Sequence, residues 1–436
     1  MKLSRFNFLE DYKGRKIFFN ARTCALAVVN QDFTRIYESV NQGCYEPIPK
    51  DEALLKDMLR SGCLVDDEVD ELKYLEYRRG LSVYSPLGLS LTIAPTLACN
   101  FRCTYCFEKH VNNSMNIETQ NAIIMFIEKK VQYLKELAVT WYGGEPFLAK
   151  ETIADLSDKI MELCKKHGVN YRSAMITNGS LITEDAVDFL KKNRIHFIQV
   201  TLDGPQVIHD SRRISLSGKS TFKTIVKNVD MLLKNDIEVS IRVNIDQKNE
   251  NHIPELLSSL KEDMEYYKKV KLGFAPVMPI NEVCQSVHEA CFGADQFSEK
   301  ILPLYELAFE EGFSNCKMML YPSLKQNYCG ADQANSFVID PEGVLYKCWS
   351  IVGDKTQSCG NVKTGCNTKH DNYLSWMVRS PFAIEKCREC NLLPVCMGGC
   401  PQMARQNSKD GAICDSIKYN IRQVMRFYYD HLQGGS

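Results

Sequence analysis

Between Leu89 and Val277 short apolar runs alternate with longer stretches of helical periodicity, and this alternation restricts the fold more than any other feature of the chain. Residues 89–94, 138–142, 173–177, 196–202, 238–245 and 270–275 have the length and composition of strands. Between them, residues 117–135, 151–167, 183–193 and 221–235 repeat apolar side chains three and four positions apart, as amphipathic helices do. Parallel neighbours need a long crossover, usually a helix, so the alternation predicts an α/β fold around a parallel sheet. Six units fall short of a closed eightfold barrel. Ligand sites in such sheets lie at the carboxyl ends of the strands.

Cys99, Cys103 and Cys106 follow the first of these strands, so three thiols share one short loop where a ligand site is expected. Three ligands leave a four-iron cluster one iron short, and an open iron binds a small molecule, whereas structural sites fill every position. A structural zinc knuckle is the other use of such thiols. The spacing Cys-x-x-x-Cys-x-x-Cys resembles the loop of radical S-adenosylmethionine (SAM) enzymes. That resemblance implies a [4Fe-4S] cluster whose open iron is chelated by SAM, and a one-electron cleavage of SAM to a 5'-deoxyadenosyl radical. It also implies that residues 83–310 form a partial, TIM-like (β/α)6 barrel.

Further matches lie at later strand ends. In Trp141-Tyr-Gly-Gly-Glu-Pro146, Gly143 and Gly144 permit close backbone approach of a ligand, Glu145 can accept from an ammonium, and Pro146 ends the motif. An ordinary tight turn is the alternative; the resemblance implies contact with the SAM amino group. Asn178 follows the third strand, Thr201 and Asp203 share a face at the end of the fourth, and Arg242 and Asn244 share one on the fifth. Polar residues in buried parallel strands are expected where they line a site. By resemblance Thr201 and Arg242 contact the SAM ribose or carboxylate, although each also suits a satisfied structural polar group.

The C-terminal third carries a second set of cysteines. Cys329 is followed by Gly343 and Cys348, and then by Cys387, Cys390, Cys396, Cys400 and Cys414. This pattern resembles the SPASM domain, assigned to 311–436, which carries auxiliary clusters in peptide-modifying radical SAM enzymes. The resemblance implies three [4Fe-4S] clusters in all. Cys387, Cys390, Cys396 and Cys414 would ligate a distal one, and Cys329, Cys348 and Cys400 a proximal one. The proximal cluster then has either an open iron, on which a substrate thiolate can bind, or a further ligand such as Cys316, Cys359 or Cys366.

Residues 1–82 read as a separate small unit, with strands near 16–20 and 25–29, helices near 32–41 and 51–61, and a closing strand at 62–65. It resembles the winged-helix element that binds the leader of a ribosomally made precursor peptide through an edge strand; a structural cap is the plainer alternative. The 19 cysteines, with no apolar signal segment, suit metal binding in a reducing, cytoplasmic setting better than a disulfide scaffold. A net charge of -1 supplies no electrostatic case for nucleic acid or an anionic membrane, and no stretch is long and apolar enough to span a bilayer.

Together these features imply a radical SAM enzyme, fed by a flavodoxin or ferredoxin-like reductant, that forms thioether links in a precursor peptide. Carbon-carbon crosslinking and sulfatase maturation to formylglycine are the alternative reactions, and a cluster-bearing peptide-binding or regulatory protein is the alternative without catalysis. The related sulfatase maturases place an Asp after the second SPASM cysteine as a proton acceptor. This chain has Trp349 there, with Asp340 and Glu342 nearby as other bases.

Overall fold

The computed structural model describes residues 1–313, 315, 320–407 and 411–432. Its centre is a ten-stranded sheet. Six parallel strands form the main part: β6 (Gly88–Ile93), β8 (Glu136–Trp141), β9 (Asn170–Thr177), β10 (Ile195–Thr201), β12 (Glu238–Ile245) and β13 (Lys271–Pro276). The helices α4 (Ile117–Val131), α5 (Lys150–His167), α6 (Glu184–Lys192) and α8 (Phe222–Lys234) fall where the periodicity puts them. Their apolar stripes cover the sheet. In α5, for example, Ile153, Leu156, Ile160 and Leu163 are buried at spacings of three and four. The inner strands are covered on both faces, and Ile198, Val200, Val239, Ile241 and Val243 are fully buried. Each such side chain contributes about 1.5–3 kcal/mol of transfer free energy.

Two short antiparallel strands, β7 (Phe101–Cys103) and β11 (Arg213–Ser215), form a ribbon at the carboxyl ends of the sheet. Between them in sequence, α7 (Gln206–Arg212) follows β10. Two further helices, α9 (Ile253–Asp263) and α10 (Ala294–Glu310), were not anticipated from the sequence. Beyond them the chain re-enters the same sheet. β14 (Ser336–Ile339) pairs parallel to β6, and β15 (Val344–Tyr346), β16 (Gly360–Asn361) and β17 (Gly365–Cys366) continue it antiparallel. One apolar core therefore runs from Leu89 through Phe337 and Leu345 to Phe427.

The first 65 residues form a three-stranded antiparallel sheet, β2 (Asn7–Tyr12), β3 (Arg15–Asn20) and β4 (Ala25–Val29), with α1 (Gln31–Asn41), α2 (Glu52–Arg60) and the small pair β1 (Lys2–Leu3) and β5 (Leu64–Val65). The expected strands and helices are present, and β2 is additional. Its Glu10 and Asp11 break the apolar pattern, yet Glu10 is buried in ion pairs with Arg422 and Arg426 of the C-terminal helix Ile417–Leu432. Phe18, Phe33, Ile36 and Met58 make a core of this unit's own. Phe6, Phe8, Ile17 and Phe19 pack instead on the cysteine-bearing C-terminal segment, against Cys387, Leu392 and Val395. The helix α3 (Glu71–Val83), capped by Asp70 accepting from the Lys73 amide, leads on into β6. Among the described residues no helix is long and apolar enough to cross a membrane.

Candidate functional site

The loop that carries Cys99, Cys103 and Cys106 leaves β6 and is fixed from three sides. On one side the β7–β11 ribbon sets Cys103 opposite Arg213. On a second, Asn178 Nδ2 donates to Asn100 Oδ1 over 2.8 Å, and Asn100 Nδ2 donates to Ser180 Oγ over 3.0 Å. On the third the loop backbone lies against the two glycines of the Trp141–Pro146 motif. A Cβ on Gly144 would meet the Ala98 carbonyl oxygen at 2.2 Å, and one on Gly143 would meet that of Thr96 at 2.3 Å. In the structure these glycines let the cysteine loop approach closely.

Glu145 locks the same junction. Its fully buried carboxylate accepts from the Thr177 hydroxyl at 2.7 Å, the Asn178 amide at 2.8 Å and the Phe147 amide at 3.0 Å. Burial pushes the carboxyl pKa up, and these hydrogen bonds oppose it. The ends of β8 and β9 are thus tied together directly beneath the thiols. Pro146 begins a short turn that leads into α5.

The three thiols lie within electrostatic reach of one another, and none is sealed from solvent. Burial raises Cys99 and Cys106 to about 12 and also raises Cys103. Thiols held in this way would bind iron as thiolates, releasing their protons to solvent. Among the described residues no three His, Cys, Asp or Glu side chains converge closely enough for a single metal ion. A four-iron cluster instead spreads its thiolates one to an iron, which suits three separate sulfurs on one loop.

Beside the thiols is a buried polar web that sequence reasoning found only in part. Tyr105, between Cys103 and Cys106, donates its hydroxyl to Asp203 Oδ2. The Tyr105 oxygen in turn accepts from Arg213 Nη1 at 2.9 Å and Asn244 Nδ2 at 3.3 Å. Asn244 also donates its amide to Asp203 Oδ1 at 3.1 Å and accepts from Arg242 Nε at 2.8 Å. Against burial, which would discharge it, Cys103, Tyr105 and Asp203 raise the Arg213 guanidinium above its ordinary pKa. Burial lowers Arg242, while Tyr105, Asp203 and Tyr142 hold its charge. Thr201 is buried next to Arg242 in the ladder. The structure therefore brings Asn178, Thr201, Asp203, Arg242 and Asn244 to one end of the sheet with the three thiols. Tyr105 and Arg213 are the members that strand patterning could not identify; the place of Tyr105 inside the cysteine spacing was the available signal.

The later cysteines divide into two groups. Cys387 lies within electrostatic reach of Cys390, Cys396 and Cys414. Cys329 lies within reach of Cys348 and Cys400, and Cys348 of Cys400. Gly399 makes the interleaving possible: a Cβ there would lie 1.7 Å from the Ile413 carbonyl oxygen, so the segment bearing Cys414 presses directly on the one bearing Cys396 and Cys400. Lys418 Nζ reaches Cys390 Sγ at 3.5 Å. Trp349, after Cys348, stacks on Tyr142 with ring centroids 5.7 Å apart, linking this region to the first site. Cys359 and Cys366 pair with each other, and Cys316 lies outside the described residues.

Comparison with known proteins agrees with this geometry. Residues 93–260 match the Radical SAM superfamily. The cysteine-type anaerobic sulfatase-maturating enzyme of Clostridium perfringens is 25% identical over 369 residues, spanning 78% of this chain and 95% of that protein. Among solved structures, native anSMEcpe with bound AdoMet superposes with a TM-score of 0.61 at 21% identity, over 79% of this chain and 98% of that one. Streptococcus suis SuiB bound to its precursor peptide SuiA gives 0.55 at 14% identity, over 95% and 99%. The two structural likenesses establish the fold. The family match brings SAM and one [4Fe-4S] cluster as the cofactors of residues 93–260. The chain thus carries a radical SAM domain and is a radical SAM enzyme, homologous to the anaerobic sulfatase-maturating enzymes.

Proposed function

We propose that this enzyme takes hydrogen from a ribosomally made precursor peptide and joins a cysteine sulfur of that peptide to carbon. SAM and the cluster on Cys99, Cys103 and Cys106, when bound, supply a one-electron cleavage that makes a hydrogen-abstracting radical. Gly143, Gly144, Glu145 and Pro146 hold the cysteine loop, and Asn178, Thr201, Asp203, Arg242 and Asn244 present polar groups to SAM. Residues 1–82 act as a winged-helix leader-binding unit, with β4, paired among the described residues only on its β3 side, offering the edge to which an extended peptide adds. Residues 83–310 are the catalytic barrel, and 311–436 form a SPASM domain with two auxiliary clusters. A flavodoxin or ferredoxin-like protein is the electron donor.

The observation that carries this reading is the division of seven later thiols into a group of four and a group of three. Four thiols would complete a cluster, and three would leave one iron for a substrate sulfur. Forming the thioether breaks one C–H and one S–H bond and makes one C–S bond. The peptide loses two hydrogens, and an auxiliary cluster held by the later thiols would supply the acceptor for the remaining electron.

Sulfatase maturation is the second reading, favoured by the homology to sulfatase-maturating enzymes. Against it stand Trp349 in place of the expected carboxylate and the engagement of both nearby acids. Asp340 accepts from the Tyr346 hydroxyl and from the Glu342 and Val344 amides, and Glu342 pairs with Lys355 at 2.5 Å. Co-expression with a candidate precursor peptide separates the readings. A thioether lowers the mass by two hydrogens per link and removes a thiol from alkylation. Formylglycine made from Ser takes two hydrogens and leaves every thiol alkylatable, formylglycine made from Cys loses the sulfur, and a carbon-carbon link leaves every thiol reactive.

A further inference from the structure

A cleft of about 150 Å3 opens where α3 meets the turn between β3 and β4 and the segment 324–326. Its walls carry Arg22 from the turn, Arg78 and Arg79 from α3, and Lys325, and among the described residues no lining side chain is acidic. The chain as a whole has 53 basic and 54 acidic side chains, so composition gives no reason for four cations to meet without a carboxylate. Arg22 does pair with Glu71, at 3.0 Å, but that carboxylate also accepts from the Ser4 hydroxyl at 2.7 Å and the Arg5 amide at 2.9 Å.

The other three cations have no carboxylate within ion-pair distance among the described residues. Arg78 donates to the Tyr74 hydroxyl over 3.3 Å, and Lys325 Nζ sits over the Tyr328 ring, 4.9 Å from its centroid. Arg79 is only 6% exposed; its Nη2 donates to the Arg379 carbonyl over 2.8 Å, and its Nε has no hydrogen-bond partner among the described residues. Burial works against its charge, and Asp332, which supports it from beyond contact, pairs with Arg379 at 3.9 Å. A guanidinium keeps its proton, so a buried one without a carboxylate destabilises the fold until a carboxylate arrives. A planar carboxylate also matches the fork of guanidinium donors. The mouth of the cleft points to what carries it. Tyr74 lines the cleft, is 45% exposed, and begins a stripe on α3 that continues through Tyr77 and Leu81, 63% and 55% exposed. The cleft has room for one side chain and not for a folded surface, and a chain leaving it meets this stripe.

We propose that this cleft binds an acidic side chain, Asp or Glu, of an extended peptide whose flanking apolar residues lie along Tyr74, Tyr77 and Leu81. The proposal rests on the precursor-peptide reading for the source of that peptide. The cations come from the N-terminal unit, from α3 and from the C-terminal segment, so a single acidic residue ties the peptide to all three. Charge complementarity of this kind selects the partner and sets the register in which it lies.

The test uses the full-length, cluster-loaded protein without SAM or reductant, and two fluorescein-labelled probes, Leu-Glu-Glu-Leu-Glu-Glu and Leu-Gln-Gln-Leu-Gln-Gln. Fluorescence anisotropy at low salt should show the Glu peptide binding about tenfold or more tightly than the Gln peptide. Arg78→Glu, which reverses a half-buried charge in the cleft wall, should weaken the Glu peptide about tenfold or more, whereas Lys223→Glu, exposed on α8, should leave it unchanged. In the unaltered chain, which needs no variant to fold, added salt should remove most of the preference for the Glu peptide. Equal binding of the two peptides at low salt, equal losses in the two variants, or displacement of the Glu peptide by an equal concentration of inorganic phosphate would overturn the proposal. Neither SAM cleavage nor crosslinking is read, so failure here leaves the precursor-peptide reading standing, and a failed co-expression leaves the cleft standing.

Discussion

Replacing Gly144 by alanine tests whether the Trp141–Pro146 motif works by placing the cysteine loop. The added Cβ would lie 2.2 Å from the Ala98 carbonyl oxygen, 2.5 Å from its carbonyl carbon and 2.7 Å from the Leu97 carbonyl oxygen. All three are backbone atoms, so no rotamer change relieves the overlap, and the loop has to retreat by about 1 Å to regain normal contact. Cys99 is the next residue and moves with it. Overpacking of this kind costs about 1–3 kcal/mol in stability. Catalysis should suffer more, because a displacement of about 1 Å at a reacting centre can cost about 100-fold in rate. The assay is anaerobic reconstitution followed by iron analysis and measurement of 5'-deoxyadenosine formed from SAM and dithionite. The variant should form at least about 100-fold less product, with the loss confined to the cluster on the first loop. Normal product formation in a folded Gly144→Ala protein would refute the claim that these glycines serve the loop.

Glu145→Ala removes the shared acceptor of three buried donors, so the urea midpoint should fall by the equivalent of about 3 kcal/mol or more; an unchanged midpoint would mean that water replaces the carboxylate. His209 is fully buried on α7, neither ring nitrogen has a hydrogen-bond partner among the described residues, and burial, then Arg213 and Arg212, holds its pKa well below 6.5. The unfolded chain binds a proton that the fold refuses, so stability should decline below about pH 6.5, by about 1.4 kcal/mol per pH unit until the folded pKa is reached. His209→Leu should flatten that slope in urea titrations between about pH 5 and 6.5, and an equal slope in both proteins would contradict it. Cys390→Ala, in the four-thiol group, should lower the iron content while leaving 5'-deoxyadenosine formation measurable; complete loss of cleavage would put that group in direct contact with the first reaction.

The sheet was legible in the sequence because buried parallel strands leave continuous apolar runs, and the β12 bounds agree to the residue at Glu238 and Ile245. The helix expected to reach residue 135 stops at Val131, since the chain must turn there to begin β8 at Glu136. Strands β14 to β17 escaped notice because they are only two to four residues long, and β14, on which the other three build, gains its pairing from β6, far away in sequence. β2 escaped because Glu10, which looks like a surface residue, is neutralised by Arg426 from the other end of the chain.

Within the site, cysteine spacing revealed the thiols because iron ligation constrains residue type and distance along the chain together. It did not reveal Arg213, which becomes part of the site only through the pairing of β11 with β7. Nor did it reveal what Gly143 and Gly144 accommodate, since a glycine signals close approach without naming the atoms that approach.

The central claim is that Cys99, Cys103 and Cys106 hold the cluster at which SAM is cleaved. It is tested most directly by incubating the anaerobically reconstituted chain with SAM and dithionite and quantifying 5'-deoxyadenosine beside a Cys103→Ala variant. The unaltered chain should form it steadily and the variant not at all. No product from the iron-loaded, unaltered chain, or equal product from both, would contradict it.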